Sequence, residues 1–257
     1  MRHVVLGAVL ALSGTPVLSD QVAELIAGTI RECRGCDLHG ANFKKADLTG
    51  VDLTGANLTD ATFHRAVLRG AILDDVEAVG TNFNLADLTQ AHLAGGNFTR
   101  AMFYAAQMSG ADLSGANLTE ARMQTARLTS ARLPGAVLDR ALLHDGKANN
   151  CDFTGASFQA TNMERMALGH SIFAGATMYG ANFGKSDANA ADFSDTTISQ
   201  SDFYGVDLRR AKFVGADVSA SRFTLAAIDA DTFTGATLTN IFAPDGRLHS
   251  QGAPDGE

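Results

Sequence analysis

The sequence contains little that could build a membrane span or a familiar active site. Its longest apolar run is residues 4–12, which is shorter than the roughly 20 residues that a helix needs to cross a bilayer. It has no glycine-rich phosphate loop, Walker motif or hydrolase nucleophile elbow. These absences argue against a membrane-spanning protein and against nucleotide-dependent or common hydrolytic enzymes.

An apolar residue recurs at every fifth position from Leu38 to Leu238, 41 times without a change of phase. The position two residues earlier is Ala in 25 of these 41 blocks, and the residue between the two is usually polar. Residues two apart point the same way in an extended strand, so each block places its small and large residues inward and its polar residue outward. Gly fills 15 of the 41 fifth positions, where a chain that turns a corner often needs backbone freedom.

Blocks of this kind resemble the pentapeptide repeat, as residues 41–43, 46–48, 56–58, 111–113 and 116–118 illustrate. The resemblance covers roughly residues 33–242. It implies an all-β fold, a right-handed quadrilateral β-helix in which four blocks make one 20-residue coil. About ten coils at strand spacing would give a rod about 50 Å long.

The distribution of aromatic residues supports a coil of 20 residues. When the large inward residues are sorted at that spacing, one column holds Phe at 43, 63, 83, 103, 183, 203 and 223. Another column holds Leu at 53, 73, 93, 113 and 133 and then Phe at 153, 173, 193, 213 and 233. We therefore expect stacked aromatic ladders, which a three-sided coil would scatter.

One region of the repeat has undersized inward residues. Ala148 and Ala188 are small at the large position, and their blocks begin with Gly146 and Ser186. Between them lies Met166, the largest residue at any small position. We predict that Met166 fills the space that its neighbours leave, because an unfilled gap would cost a few kcal/mol.

The two ends of the chain differ in composition from the repeat. Residues 1–19 read as a secretory signal with a charged start, an apolar run and a small-residue cleavage site; the alternative is an uncleaved segment that docks on the rod. Residues 20–32 have apolar residues at helical spacing, and we expect a short helix that covers the open first coil. Residues 243–257 read as a turn and a disordered tail.

Three roles are open for Cys33 and Cys36: a redox pair, half of a zinc site, or a structural disulfide. Both fall on inward positions, which favours a disulfide that tightens the first coil, since an oxidising compartment permits one. A zinc site would need two further ligands, and His39 is the one nearby candidate. Cys151 occupies a small inward position roughly 28 Å away at strand spacing, so we predict an inert core thiol there.

Candidate binding residues lie on the outward positions. Arg122, Arg127 and Arg132 occupy the outward position of three consecutive blocks and would form a basic band round one coil. They are either a solvated belt or a dock for an acidic partner, since clustered Arg suits carboxylate and phosphate. Tyr104, Tyr179 and Tyr204 are candidate exposed anchors.

The sequence predicts a non-enzymatic interaction or structural module, since an unbroken register leaves no loop for a catalytic cleft. We expect a soluble, exported protein without cofactor or metal, located in a periplasm or alternatively in a thylakoid lumen or outside the cell. Its partner would be a protein or an anionic envelope component rather than nucleic acid, and its oligomeric state is left open. The rival hypothesis is a DNA-mimicking, gyrase-binding protein of the quinolone-resistance type, which the formal net charge of −8 favours. A carbohydrate-active β-helix is disfavoured, because such folds carry their carboxylates on loops.

Overall fold

The computed structural model describes residues 18–249 of the 257-residue chain. Its main body is a solenoid in which parallel β-bridges join residues 20 positions apart, from Glu32↔Asp52 to Arg222↔Phe242. One turn of the chain therefore contains four five-residue blocks, as the aromatic columns predict. The bridging residues form four ladders of outward side chains. Ladder 1 runs from 37 to 237, ladder 2 from 42 to 242, ladder 3 from 47 to 227 and ladder 4 from 32 to 212, with a step of 20 residues in each.

Regular strands are short because each block extends for only about three residues before it turns. In ladder 1 the bridges lengthen into β1 (Thr177–Tyr179), β2 (Thr197–Ser199), β3 (Asp217–Ser219) and β4 (Thr237–Thr239). These four strands form a parallel sheet in the order β1-β2-β3-β4. The antiparallel pair β5 (Ile241–Phe242) and β6 (Leu248–His249) closes the C-terminal end.

The core is a continuous column of the small and large inward residues. Phe rings one coil apart stack face to face, with centroids 4.9 Å apart for Phe43 and Phe63 and 4.8 Å apart for Phe173 and Phe193. Rings in neighbouring columns meet edge to face, as Phe193 and Phe203 do at 5.9 Å. Both contacts are favourable arrangements for aromatic quadrupoles, and the predicted aromatic ladders are present.

The fifth position of a block needs a left-handed backbone. From Gly35 to Asn240 this position has a positive φ in every block except that of Ala230, with values from +47° at Ala220 to +78° at Gly235. Gly adopts this conformation without a steric penalty, which explains its frequency there. Non-glycine residues such as Lys45 and Leu85 adopt it as well.

The repeat geometry changes at Ala230. Ile228, a large-position residue that the register predicts to be inward, is 36% exposed, so the prediction is wrong at this block. The Arg210 amide donates to the Asp229 carboxylate at 2.6 Å, and the Asp229 amide donates to Thr232 Oγ1 at 2.8 Å. Because these side chains replace backbone acceptors, the chain bulges outward, and Gly215 then pairs with Gly235.

A single helix, α1 (Leu18–Ala27), covers the N-terminal end of the solenoid. Leu25 is fully buried, and Val22 and Ile30 pack against the core. The helix is shorter than the predicted 20–32, because Gly28 adopts φ +70° and Glu32 already pairs with Asp52. At the other end residues 243–249 form the turn and second strand of the β5–β6 hairpin, where the sequence suggests a disordered tail. The predicted signal segment, residues 1–19, lies almost wholly outside the described residues, as do residues 250–257.

Candidate interaction surface

The three predicted arginines lie on three different ladders. Arg122 bridges Met102 in ladder 2, Arg127 bridges Gln107 in ladder 3 and Arg132 bridges Asp112 in ladder 4. They do encircle one coil, but they point to different sides of it and cannot meet one flat partner together. Arg132 also forms an ion pair with Asp112 at 3.3 Å. Within residues 18–249, Arg122 and Arg127 have no carboxylate within 4 Å.

The structure instead brings Arg122 together with Tyr104. Both line an open surface depression of about 510 Å³. Its other lining residues are Asn84, Met102, Gln124, Thr125 and His144. The Tyr104 side chain is half exposed, and its backbone amide donates to Asn84 Oδ1 at 2.8 Å. The depression thus combines an aromatic ring and a cation whose charge no described carboxylate neutralises.

Tyr204 lies five coils further along the same corner of the solenoid. Arg222 stacks over its ring at 4.8 Å from the centroid. The Arg222 guanidinium also forms a two-point ion pair with Asp202, with Nε 2.8 Å from Oδ1. A smaller depression of about 260 Å³ surrounds this cluster. Tyr179, on ladder 1, is exposed and lies on a different side from the other two tyrosines.

Three further cations, which the sequence analysis missed, lie on the same side as Arg122. We define the basic edge as ladder-2 residues 42, 62, 82, 102, 122 and 142 with the corner pairs 44–45, 64–65, 84–85, 104–105 and 124–125. It contains Lys44, Lys45, Arg65 and Arg122 but no Asp or Glu. No ion pair found in residues 18–249 involves these four cations. The signal that finds the edge is the alignment of outward residues at a 20-residue spacing.

An ion-pair network marks the end of the basic edge. Asp145 accepts hydrogen bonds from Arg165 Nε at 2.7 Å and from His144 Nδ1 at 2.8 Å. These contacts, led by the bond from Arg165, hold the pKa of Asp145 well below its usual range. His144 and His64 lie in one column, four coils apart. Among the described residues no group of three or more His, Cys, Asp and Glu side chains is arranged to hold a metal ion.

The cysteines lie where the repeat phase places them. The sulfur atoms of Cys33 and Cys36 are 2.02 Å apart, with Cα atoms 5.4 Å apart, so the structure contains a disulfide in the first coil. Cys151 is buried, and its thiol lies 2.9 Å from the Leu128 carbonyl oxygen. Burial raises the pKa of the Cys151 thiol to about 12, which removes the reactive thiolate at neutral pH.

Family profiles match most of the solenoid. Eight copies of the pentapeptide repeat are found in residues 36–75, 81–119, 106–145 and 121–159, and a pentapeptide repeat region spans residues 146–223. The chain belongs to the pentapeptide-repeat family. Pentapeptide-repeat proteins fold as right-handed β-helices, in agreement with the parallel ladders. A comparison with curated proteins finds no match.

Solved structures of other pentapeptide-repeat proteins resemble this chain. QnrB1, a plasmid-mediated fluoroquinolone resistance protein solved after trypsin treatment, is 16% identical with a TM-score of 0.55, and the match covers 81% of this chain and 92% of QnrB1. HetL, involved in heterocyst differentiation regulation in the cyanobacterium Nostoc sp. strain PCC 7120, is 25% identical over 90% of this chain and 98% of its own, with a TM-score of 0.38. A thylakoid-lumen protein of Arabidopsis thaliana is 27% identical over 40% of this chain and 72% of its own, with a TM-score of 0.23. The QnrB1 comparison establishes a shared fold.

No helix among the described residues is long and apolar enough to cross a membrane.

Proposed function

We propose that this pentapeptide-repeat protein is an exported, non-catalytic rod that acts as a protein-interaction or structural module of the cell envelope. Its cross-section is quadrilateral and its length is about ten coils, about 50 Å at strand spacing. Two-residue corners between the bridges leave little room for the loops that a catalytic cleft requires. The rod therefore acts by presenting fixed rows of side chains to other molecules.

The observation that carries the proposal is the basic edge. The whole chain has a net charge of −8, yet this edge carries Lys44, Lys45, Arg65 and Arg122 with no carboxylate among its residues. Its exposed Tyr104 and Leu85 add apolar contact area. A local cluster of unneutralised cations beside an aromatic anchor is typical of a protein-binding surface.

Export is supported by the composition of residues 1–19 and by the disulfide between Cys33 and Cys36. The test is cell fractionation combined with intact-mass analysis of the purified mature chain. We expect the protein in the periplasmic fraction, a mature N-terminus near Asp20 and one fewer pair of alkylatable thiols before reduction. An unprocessed chain in the cytoplasm with three free thiols would overturn the export proposal.

A second candidate is the DNA-mimicking, gyrase-binding function, which the acidity of the chain favours. The ion pairs work against it, since Asp52, Asp87, Asp112 and Asp202 are each neutralised by an arginine rather than left in a continuous acidic row. A gyrase supercoiling assay separates the two candidates. We expect no protection of gyrase from a quinolone by the purified mature protein.

A further inference from the structure

We propose that the depression beside Tyr104 receives a single carboxylate side chain from an acidic segment of a partner protein, with Arg122 as the ion-pairing group. The inference rests on the proposed function as an interaction module and names the chemistry of the partner. Its basis is a second cluster in the same molecule that has the same arrangement and already contains the carboxylate.

The two clusters are related by a shift of 100 residues, which is five 20-residue coils. Tyr104 and Tyr204 occupy the same corner, and Arg122 and Arg222 occupy the same ladder 18 residues later. In the second cluster Arg222 stacks on the Tyr204 ring and binds both carboxylate oxygens of Asp202. Bidentate Arg–carboxylate pairs are among the stronger charge-assisted hydrogen bonds.

The first cluster differs at the position of the carboxylate. Met102 stands where the second cluster has Asp202. Asp202 has two roles, because it also accepts the Tyr204 backbone amide at 2.9 Å. In the first cluster Asn84, from the preceding coil, accepts the Tyr104 amide at 2.8 Å. The backbone is thus satisfied in both clusters, and only the Arg122 guanidinium lacks its carboxylate.

The surroundings indicate which molecule supplies that carboxylate. Tyr104 is 51% exposed and Leu85 is 39% exposed, so apolar side chains flank the cation. Lys44, Lys45 and Arg65 extend the positive charge along the edge. Four cations over four coils, roughly 19 Å at strand spacing, are too sparse for duplex DNA, which carries one phosphate charge per about 1.7 Å. An acidic peptide segment with apolar residues between its carboxylates fits this spacing.

The internal comparison provides a variant that fills the site without removing any of its binding groups. Met102→Asp gives the first cluster the same three residues as the second, so Arg122 would pair within the chain as Arg222 does. Met102→Asn has nearly the same shape without the charge and is the matched control. Asn162→Asp, two coils from Arg122 on the same ladder, controls for the added negative charge.

The experiment measures fluorescence anisotropy of a short labelled peptide in which Asp alternates with Leu, titrated with the folded mature protein. We expect Met102→Asp to weaken binding about tenfold or more, while Met102→Asn and Asn162→Asp retain it. A peptide with Asn in place of Asp should bind no variant. Thermal melts of the four proteins establish that each is folded.

Equal affinity of the Met102→Asp and Met102→Asn variants would overturn the proposal, and so would the absence of peptide binding by the unsubstituted protein. Two further probes test the occupant: a short DNA duplex and vesicles that contain phosphatidylglycerol. Tighter binding of either than of the peptide, with the same loss in Met102→Asp, would assign the site to a phosphate ligand instead. Fractionation of the same variants is independent of these results, so a cytoplasmic location would refute the export proposal and leave the site standing.

Discussion

The polar residue at the second position of each block does more than face the solvent. Asp47 accepts the backbone amide of Thr49 at 3.0 Å and its hydroxyl at 2.7 Å. The same contact recurs at Asn57, Asp112 and Asn117 with the residue two positions later. An Asx contact of this kind holds the turn that follows the strand. The repeat therefore favours Asp and Asn over other polar residues for a local structural reason.

These carboxylates couple the stability of the rod to pH. Burial raises the pKa of Asp87, but hydrogen bonds from Thr89 and Arg69 outweigh this effect and keep the pKa below its usual value. A lowered pKa in the folded state stabilises the fold above the unfolded Asp pKa of about 3.9, and that stabilisation is lost as the pH falls through the folded pKa.

We predict that Asp87→Asn loses less stability than the unsubstituted protein when the pH falls from neutral to about 3. Asn can still accept the Thr89 amide, but it has no charge to titrate. The measurement is the urea midpoint at each pH for both proteins. An unchanged difference between the two midpoints across this range would contradict the assignment of Asp87.

Met166 is the clearest case in which one side chain compensates for its neighbours. It is buried, and its sulfur lies 2.9 Å from the place where a Cβ on Gly146 would stand. It therefore occupies the space that Gly146 and the small Ala148 leave. The size pattern along one column was sufficient to predict this contact from the sequence.

We predict that Met166→Ala lowers the free energy of unfolding by about 2–4 kcal/mol, the usual cost of removing a buried Met. Val206→Ala is the matched control, because Val206 occupies the same column beside the full-sized Leu208 and is equally buried. Its loss should be smaller, since fewer buried atoms are removed. Comparable denaturation midpoints for the two variants would refute the space-filling role of Met166.

The ladders and corners follow from the repeat, whereas the two ends do not. The phase of the apolar residues predicted the stacked Phe columns and the need for a left-handed fifth position. It could not predict the bulge at Ala230, because there Asp229 and Thr232 form hydrogen bonds in place of the backbone. It also could not predict the β5–β6 hairpin, in which the Arg247 amide donates to Asp245 after the turn.

We predict that the helix α1 stabilises the rod mainly through Leu25, which is fully buried against the first coil. Leu25→Asn should cost about 2–4 kcal/mol and should accelerate amide hydrogen exchange in residues 33–52 more than in the central coils. Ile26→Asn is the matched control, because Ile26 is 46% exposed and should have little effect. Equal effects of the two substitutions would contradict the capping role of the helix.

The charges of the whole rod are unevenly distributed. Eight arginines form ion pairs with nearby carboxylates, while the basic edge retains four unneutralised cations in a chain of net charge −8. Arg122 and Tyr104 were both candidates from the sequence, but as members of separate sets. They are 18 residues apart and become neighbours only through the 20-residue coil. The contribution of Met102 could not be predicted, because its significance depends on comparison with the Asp202 cluster.

Proximity labelling in the native host tests the account most directly, with a peroxidase fused after Glu257 and the unsubstituted, Met102→Asn and Met102→Asp proteins compared. We predict that the first two enrich the same small set of envelope proteins with acidic segments and that Met102→Asp loses them. Enrichment of gyrase subunits, or an identical set of labelled proteins for Met102→Asp and Met102→Asn, would contradict an exported rod that binds acidic partners through its basic edge.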